Sequence, residues 1–339
     1  MLNSAAVEAL GLDSGPTPAG VERDASGQAT GRLFRLDDWL RRQLPLSPPD
    51  LAPVGRLLAQ RGITGVTDAG VHNGPAEWAL LERACRAGAL PQRLRLMGRG
   101  DLPSPAEGSM RIARGALKIV LDEPALPDID DLVGRIAEAH QVGRSAAIHC
   151  VTRVELMLAL AAFEDAGVLV GDRIEHAAVA PPEAVDWLAR LGLTVVTQPG
   201  FLAERGDRYR RDVAPNDLPW LVLGAAFDRH RVPLGSGTDA PFGEPDPWRA
   251  MRAAVDRATE TGHLLSPEEG VTPERALALF SAPLEAPGGP PREIRPGAPA
   301  DLCLLADPWV RVRDELSAER VRFTTCGGRV AFAEPGLIE

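Results

Sequence analysis

Lysine is almost missing from this chain. Lysine and arginine together number 37 in 339 residues, and Lys118 is the single lysine among them. An abundance of Ala, Arg, Gly and Pro accounts for the missing lysines. It does not account for a survivor inside Gly115-Ala-Leu-Lys-Ile-Val-Leu-Asp122, an apolar run that predicts a buried strand. An unpaired charge there is expensive. A guanidinium stays protonated and is no nucleophile, whereas a desolvated lysine amine loses its proton readily. The neutral amine can form a Schiff base with a carbonyl. It can also take up carbon dioxide to become a carbamate, an oxygen ligand for metals. Lys118 is therefore expected to have a chemical role.

Other absences narrow the class. No window approaches the ~20 apolar residues of a membrane-spanning helix, and the N-terminus shows no charged-then-apolar leader pattern. The four cysteines, at 85, 150, 303 and 326, have no Cys-x-x-Cys spacing, so reduced thiols in a cytoplasmic protein are expected. A net charge of −10 argues against nucleic acid or an anionic membrane as the main partner and leaves a small-molecule substrate. No Gly-x-Gly-x-x-Gly follows the first strand, so a dinucleotide fold has no support.

What is present has a rhythm. Residues 1–61 read as an irregular segment with short helical pieces, broken by Gly15, Pro16, Pro18 and Gly20 and again by Pro45, Pro48, Pro49 and Pro53. From Gly62, apolar runs predict strands at Ile63–Asp68, Arg93–Met97, Ala116–Leu121, Ala146–Cys150, Arg173–His176, Leu193–Thr197 and Val232–Gly235. Helical patterns at Ile129–His140, Val154–Ala166, Pro182–Leu191 and Pro219–His230 lie between them. This alternation predicts a parallel sheet with helices outside. Residues 62–290 thus form an incomplete TIM-type (β/α) barrel of about seven of the eight units. In residues 291–339 the pattern changes to short strands at Asp301–Leu305, Arg320–Thr325 and Arg329–Phe332, with Gly327-Gly328 as a tight turn, which predicts a partial β-sandwich.

Catalytic side chains of such barrels sit at the C-terminal ends of strands. Lys118, His149 at the end of Ala146-Ala-Ile-His149, His176 at the end of Arg173-Ile-Glu-His176, and Asp239 after Pro233-Leu-Gly-Ser-Gly-Thr-Asp239 all fall there. Two imidazoles, a carboxylate and a carbamate suit Zn²⁺ or another divalent metal, one ion or two. A bound ion brings the pKa of its water towards ~7, and Asp239 would carry the proton to a leaving amine. Arg153 opens the helix after the His149 strand and is a candidate grip for substrate. His72, after Asp68-Ala-Gly70, is a candidate at the mouth, with a solvated loop position as the competing reading. Asp68 itself is expected to cap its turn. Cys150 is expected in the core across the pleat from His149. His140, His230 and His263 are expected on the surface near helix ends. Glu204-Arg-Gly-Asp-Arg-Tyr209 reads as a lid or as salt-bridged surface.

As an ordered set, these motifs resemble the amidohydrolase superfamily. Leu-Lys118-Ile-Val, Ala-Ile-His149, Arg-Ile-Glu-His176-Ala, Thr197-Gln-Pro and Gly237-Thr-Asp239-Ala-Pro are similar to the metal-dependent amidohydrolase 3 branch, which includes N-substituted formamide deformylase. The tail Arg295-Pro-Gly-Ala-Pro-Ala-Asp301-Leu-Cys-Leu-Leu matches as well. The resemblance implies a hydrolase of non-peptide carbon–nitrogen bonds. In it Lys118 would be a carbamylated or direct metal ligand, His149 and His176 ligands of the same ion, and Asp239 ligand and general acid/base. One feature departs from the pattern: the family carries a His-x-His on its first barrel strand, and this sequence has none. The chain is thus expected to lack that strand and the N-terminal half of the sandwich. A late start site, gene decay and a separate chain supplying the rest stay open. Two rival readings stand beside this one: a Schiff-base aldolase or lyase using Lys118, and a non-catalytic fragment or binding partner. An incomplete barrel has open sheet edges, which invite pairing with another copy.

Overall fold

A computed structural model describes residues 1–43, 48–105 and 111–337, so Pro45 lies outside the described residues. The chain divides into two compact units, Met1–Asp50 and Leu51–Glu339.

The first unit contains the helix Ser4–Ala9, whose first turn is capped by the Asn3 side chain accepting from the Ala6 amide. It also contains an antiparallel hairpin of β1 (Val21–Arg23) and β2 (Ala29–Leu33), and the helix Asp37–Gln43. The hairpin turn is organised by Asp24, which accepts from the amides of Ser26 and Gln28. Sequence patterning showed no strands here, because three and five residues are too few to display alternation.

In the second unit, β3 (Gly65–Asp68), β4 (Arg93–Gly98), β5 (Ile112–Val120), β6 (Ala146–Cys150), β7 (Arg173–His176), β8 (Thr194–Thr197) and β9 (Leu234–Ser236) form one parallel sheet in chain order. Helices Pro75–Arg86, Ile129–Gln141, Arg153–Ala166, Pro182–Leu191, Gly200–Asp212 and Pro247–Asp256 follow β3, β5, β6, β7, β8 and β9. This is the α/β, incomplete TIM-type barrel that the sequence predicts. β3 and β9 are its edges. Residues 283–288 run close to both: Leu284 lies against Gly65, and a Cβ at Gly235 would stand 2.4 Å from the Pro287 carbonyl oxygen. Glycine at 235 lets the two backbones approach.

Strand register sorts the side chains. Lys118 pairs with Ala147, Ala147 with Arg173, and His149 with Glu175, so these five share one face. Ile119, Ile148, Ile174 and Val195 point the other way into a core built with Leu132, Ile136, Leu156, Phe163 and Leu188 of the helices. Cys150 packs in that core, as expected across the pleat from His149. The helices start where their caps put them. Asp128 accepts from the Asp130 amide, and Thr152 with Glu155 forms a capping box.

Residues 219–230 do not form the single helix that patterning predicts. A 3₁₀ turn at Leu218–Trp220 and a short helix at Ala225–Arg229 replace it. The buried Glu269 carboxylate accepts from the Gly224 and Ala226 amides and from Arg229, so a tertiary contact sets where this helix begins. The predicted lid at 204–209 is part of the helix Gly200–Asp212, with Arg208 and Asp212 paired at 2.9 Å on its surface.

β10 (Leu302–Leu305), β11 (Val321–Cys326) and β12 (Arg329–Ala333) form a separate antiparallel sheet. Gly327 and Gly328, both at left-handed φ (+58° and +76°), make its two-residue turn. Helix Ala52–Gln60 packs on it, with the Thr324 hydroxyl donating to the Ala59 carbonyl at 2.8 Å. Buried Asp301 joins this sheet to β4 by pairing with Arg93 at 3.0 Å and accepting from the Gly327 amide at 2.6 Å. Among the described residues, no helix is long and apolar enough to cross a membrane.

Candidate active site

Lys118 is 5% exposed on the inner face of β5. Burial strips water from its ammonium and pulls its pKa below the ordinary lysine value, with the Glu175 charge opposing. On the neighbouring strand, burial lowers His149 to about 4, and the charge of Lys118 adds to that. His176 falls to about 3, through burial first and His149 second. Both imidazoles are therefore neutral at physiological pH and keep a lone pair available to an electrophile or metal.

Strict alternation would turn His176 away from Glu175 and into the helix-facing core. The backbone breaks the pleat instead, with φ of +74° at His176 and +45° at Ala177. The His176 ring then meets the His149 ring edge to face, centroids 4.4 Å apart and planes at 75°. The Gln198 side chain, just beyond β8, is buried and donates to the Val196 carbonyl at 2.9 Å. Such left-handed positions cost a non-glycine residue of order 1 kcal/mol and collect at functional sites.

Asp239 follows β9, also at a left-handed φ of +54°. Burial raises its carboxyl above the ordinary value, against the pull of Lys118. Its carbonyl accepts from the Phe242 and Gly243 amides at 2.8 and 3.1 Å, which closes the loop into a turn. The charge of Lys118 acts on His149, His176 and Asp239, and His149 acts on His176. The structure thus draws these four residues into one electrostatic neighbourhood.

The two candidate substrate contacts, Arg153 and His72, both lie on segments that follow barrel strands. Arg153 heads its helix half exposed, with Nη1 3.6 Å from the Asp217 carboxylate. His72 lies half-buried in the turn between β3 and the helix Pro75–Arg86. Asp68 caps that turn, accepting from the Gly70 amide and the Asn73 side chain, both at 2.8 Å. His140, read as a surface residue, is largely buried and pairs with Asp172 at 2.9 Å. His230 is partly exposed and pairs with Asp186 at 2.9 Å.

Sequence reading passed over Glu175 and Arg173. Glu175 is 4% exposed, directly opposite His149, and accepts from Arg173 Nε at 2.6 Å. Burial works to raise its pKa, but Arg173, Lys118 and His176 together outweigh burial and hold the carboxyl below its ordinary value. A negative charge therefore stands beneath the two imidazoles. A signal was available: opposite charges at i and i+2 in a strand put both on one face.

Two neutral imidazoles in contact are suitable nitrogen donors for a divalent ion. Among the described residues, no three His, Cys, Asp or Glu side chains gather closely enough to hold one by themselves. The chain thus offers a pair of adjacent imidazoles as donors.

Strand order and helix placement define an incomplete (β/α) barrel of the α/β class. The sequence profile described as the amidohydrolase family matches residues 1–332, and the chain belongs to that family. Membership places it among enzymes that hydrolyse carbon–nitrogen bonds. It is 28% identical over 98% of its length to an N-substituted formamide deformylase of Arthrobacter pascens, covering 71% of that protein. A putative amidohydrolase of Bacillus subtilis, YtcJ, is 24% identical over 98% of this chain and 72% of its own length. Among solved structures, an uncharacterized metal-dependent hydrolase from Pyrococcus furiosus superimposes with a TM-score of 0.64 at 20% identity. That match covers 82% of this chain and 63% of the other, so the chain spans less than two thirds of its structural neighbour.

Proposed function

We propose that this chain hydrolyses a non-peptide amide, breaking its carbon–nitrogen bond with water, and that a divalent metal such as Zn²⁺ assists. His149 and His176 would hold the ion, with Lys118, carbamylated or as the free amine, and Asp239 completing the set. When bound, such an ion polarises the substrate carbonyl and makes hydroxide available near neutral pH. The chain's own residues do the rest. Asp239, whose carboxyl is raised by burial, is suited to take a proton from water and hand it to the departing amine. Glu175, kept ionised by Arg173, stabilises positive charge around Lys118 and the imidazoles. Lys118 is buried and His149 partly buried on the inner face, where these charges act at a dielectric below that of water.

The observation that carries this reading is the edge-to-face His149–His176 pair, made by the backbone break at His176 and Ala177. The test is amine release from a panel of N-substituted formamides and cyclic amides. Activity should vanish with a chelator, return with Zn²⁺, and fall at least about 100-fold in Lys118→Met, the scale on which one essential polar group is worth. Chelator-resistant turnover sinks the metal. The buried amine, whose pKa burial pulls below the ordinary lysine value, also favours a Schiff-base reading. Borohydride trapping of a carbonyl substrate on Lys118, with chelators inert, would decide for it.

A further inference from the structure

The helix after β8 and the loop after β9 touch through two consecutive side chains. Arg205 donates through Nη2 to the Phe242 carbonyl, and Glu204 Oε1 accepts from the Glu244 amide at 3.1 Å. The guanidinium lies over the Phe201 ring, 4.2 Å from its centroid, and its charge acts on the Tyr209 phenol. Phe201, Arg205 and Tyr209 are spaced four apart, so one helix face supplies all three. The loop is pressed close. A Cβ at Gly243 would stand 2.3 Å from the Thr238 carbonyl oxygen and 3.0 Å from the Phe201 ring. Among the described residues Arg205 has no ion pair within 4.0 Å, although its charge is felt at Asp239. A guanidinium stacked on a ring and donating to a loop carbonyl is fixed in place, since little rotamer freedom remains to it.

We propose that Arg205 is a positioning residue that clamps the loop 239–244 and so holds Asp239 towards Lys118 and the imidazole pair. The turn it grips is the one closed by the Phe242 and Gly243 amides on the Asp239 carbonyl. Without the grip at the Phe242 oxygen, the left-handed φ of Asp239 has lost one of the contacts that over-determine it. The proposal rests on Asp239 being the proton carrier, and a misplacement of about 1 Å at such a group costs roughly 100-fold in rate.

Hydrogen exchange on the full chain separates this from the reading of the site. In Arg205→Met, the Phe242 and Gly243 amides should exchange at least about tenfold faster, while β8 and β9 keep their protection. Arg208→Met on the same helix should change neither, since Arg208 only pairs with exposed Asp212. Arg205→Lys, which keeps one donor and the charge, should restore part of the protection. With an N-substituted formamide as substrate, Arg205→Met should lower kcat by about 10- to 100-fold with KM little changed, and added guanidinium should recover part of the loss. Unchanged exchange at 242 and 243, or exchange raised throughout the barrel, overturns the clamp. A rise in KM at constant kcat also overturns it, because Arg205 would then be gripping substrate. If wild type turns over none of the amides, the hydrolase reading fails, and the exchange result still decides the clamp.

Discussion

At the scale of single residues, the site depends on groups whose charge is controlled by burial. Lys118 is the one amine in an arginine-rich chain, and the structure puts it on an inner face where its proton is easily lost. The same burial makes His149 and His176 sensitive to acid. Their folded-state values, about 4 and about 3, lie below the ordinary 6.5, so the unfolded chain binds these protons first as pH falls. Their contribution to stability is whole above pH 6.5 and is lost progressively down towards 4 and 3. Each group contributes a slope of up to about 1.4 kcal/mol per pH unit in that window. Urea unfolding of metal-free protein from pH 7 to 4 should show this loss, and His149→Gln should flatten it. An identical slope in the variant would mean that His149 is not neutral and buried in the folded chain.

Between elements, loops at the mouth are tied to one another by buried carboxylates. Glu155, on the helix after β6, accepts from the Val151 and Thr152 amides through Oε2 and from the Glu123 amide through Oε1. It therefore fixes the loop after β5 against the loop after β6, on either side of Lys118 and His149. Glu155→Ala would take the carboxylate partner from three part-buried amides. A loss of about 2–4 kcal/mol is expected in denaturant titration, on a scale of ~1–3 kcal/mol for each unsatisfied buried group. Thr152→Ala, which removes only the cap, should cost about 1 kcal/mol. If the two variants prove equal, Glu155 is acting as a helix cap and not as a tie between loops. Capping boxes were readable in the sequence because Thr152 and Glu155 are three apart. The tie to Glu123 was not, since it spans 32 positions along the chain.

For the whole molecule, the decisive quantity is how many metal ions it can hold. The sequence has no His-x-His, and the structure gathers one pair of imidazoles at the strand ends. A structural zinc site takes four protein ligands and a catalytic one three. Metal analysis of purified protein should therefore find at most about one Zn²⁺ per chain, and two tightly held ions would refute the single-site reading. The barrel edges β3 and β9 were expected to stand open. Residues 283–288 lie close to both, with Leu284 at Gly65 and Pro287 at Gly235. Patterning could not reveal this, because those residues carry no strand signal and their partners lie far away in sequence.

What the chain's own letters determined is the order of the barrel. Parallel strands buried on both faces need largely apolar runs, and such runs are visible without any tertiary knowledge, as at Ala146–Cys150, with the pattern of the helix Arg153–Ala166 following it. The lone lysine was equally legible, because an amine in such a run breaks the pattern. Tertiary structure alone decided three things: the left-handed turn that brings His176 round to His149, the Arg173–Glu175 pair beneath them, and the grip of Arg205 on the Asp239 loop. Each depends on one backbone angle or on contacts across strands and loops, and neither a local propensity nor a periodicity encodes those.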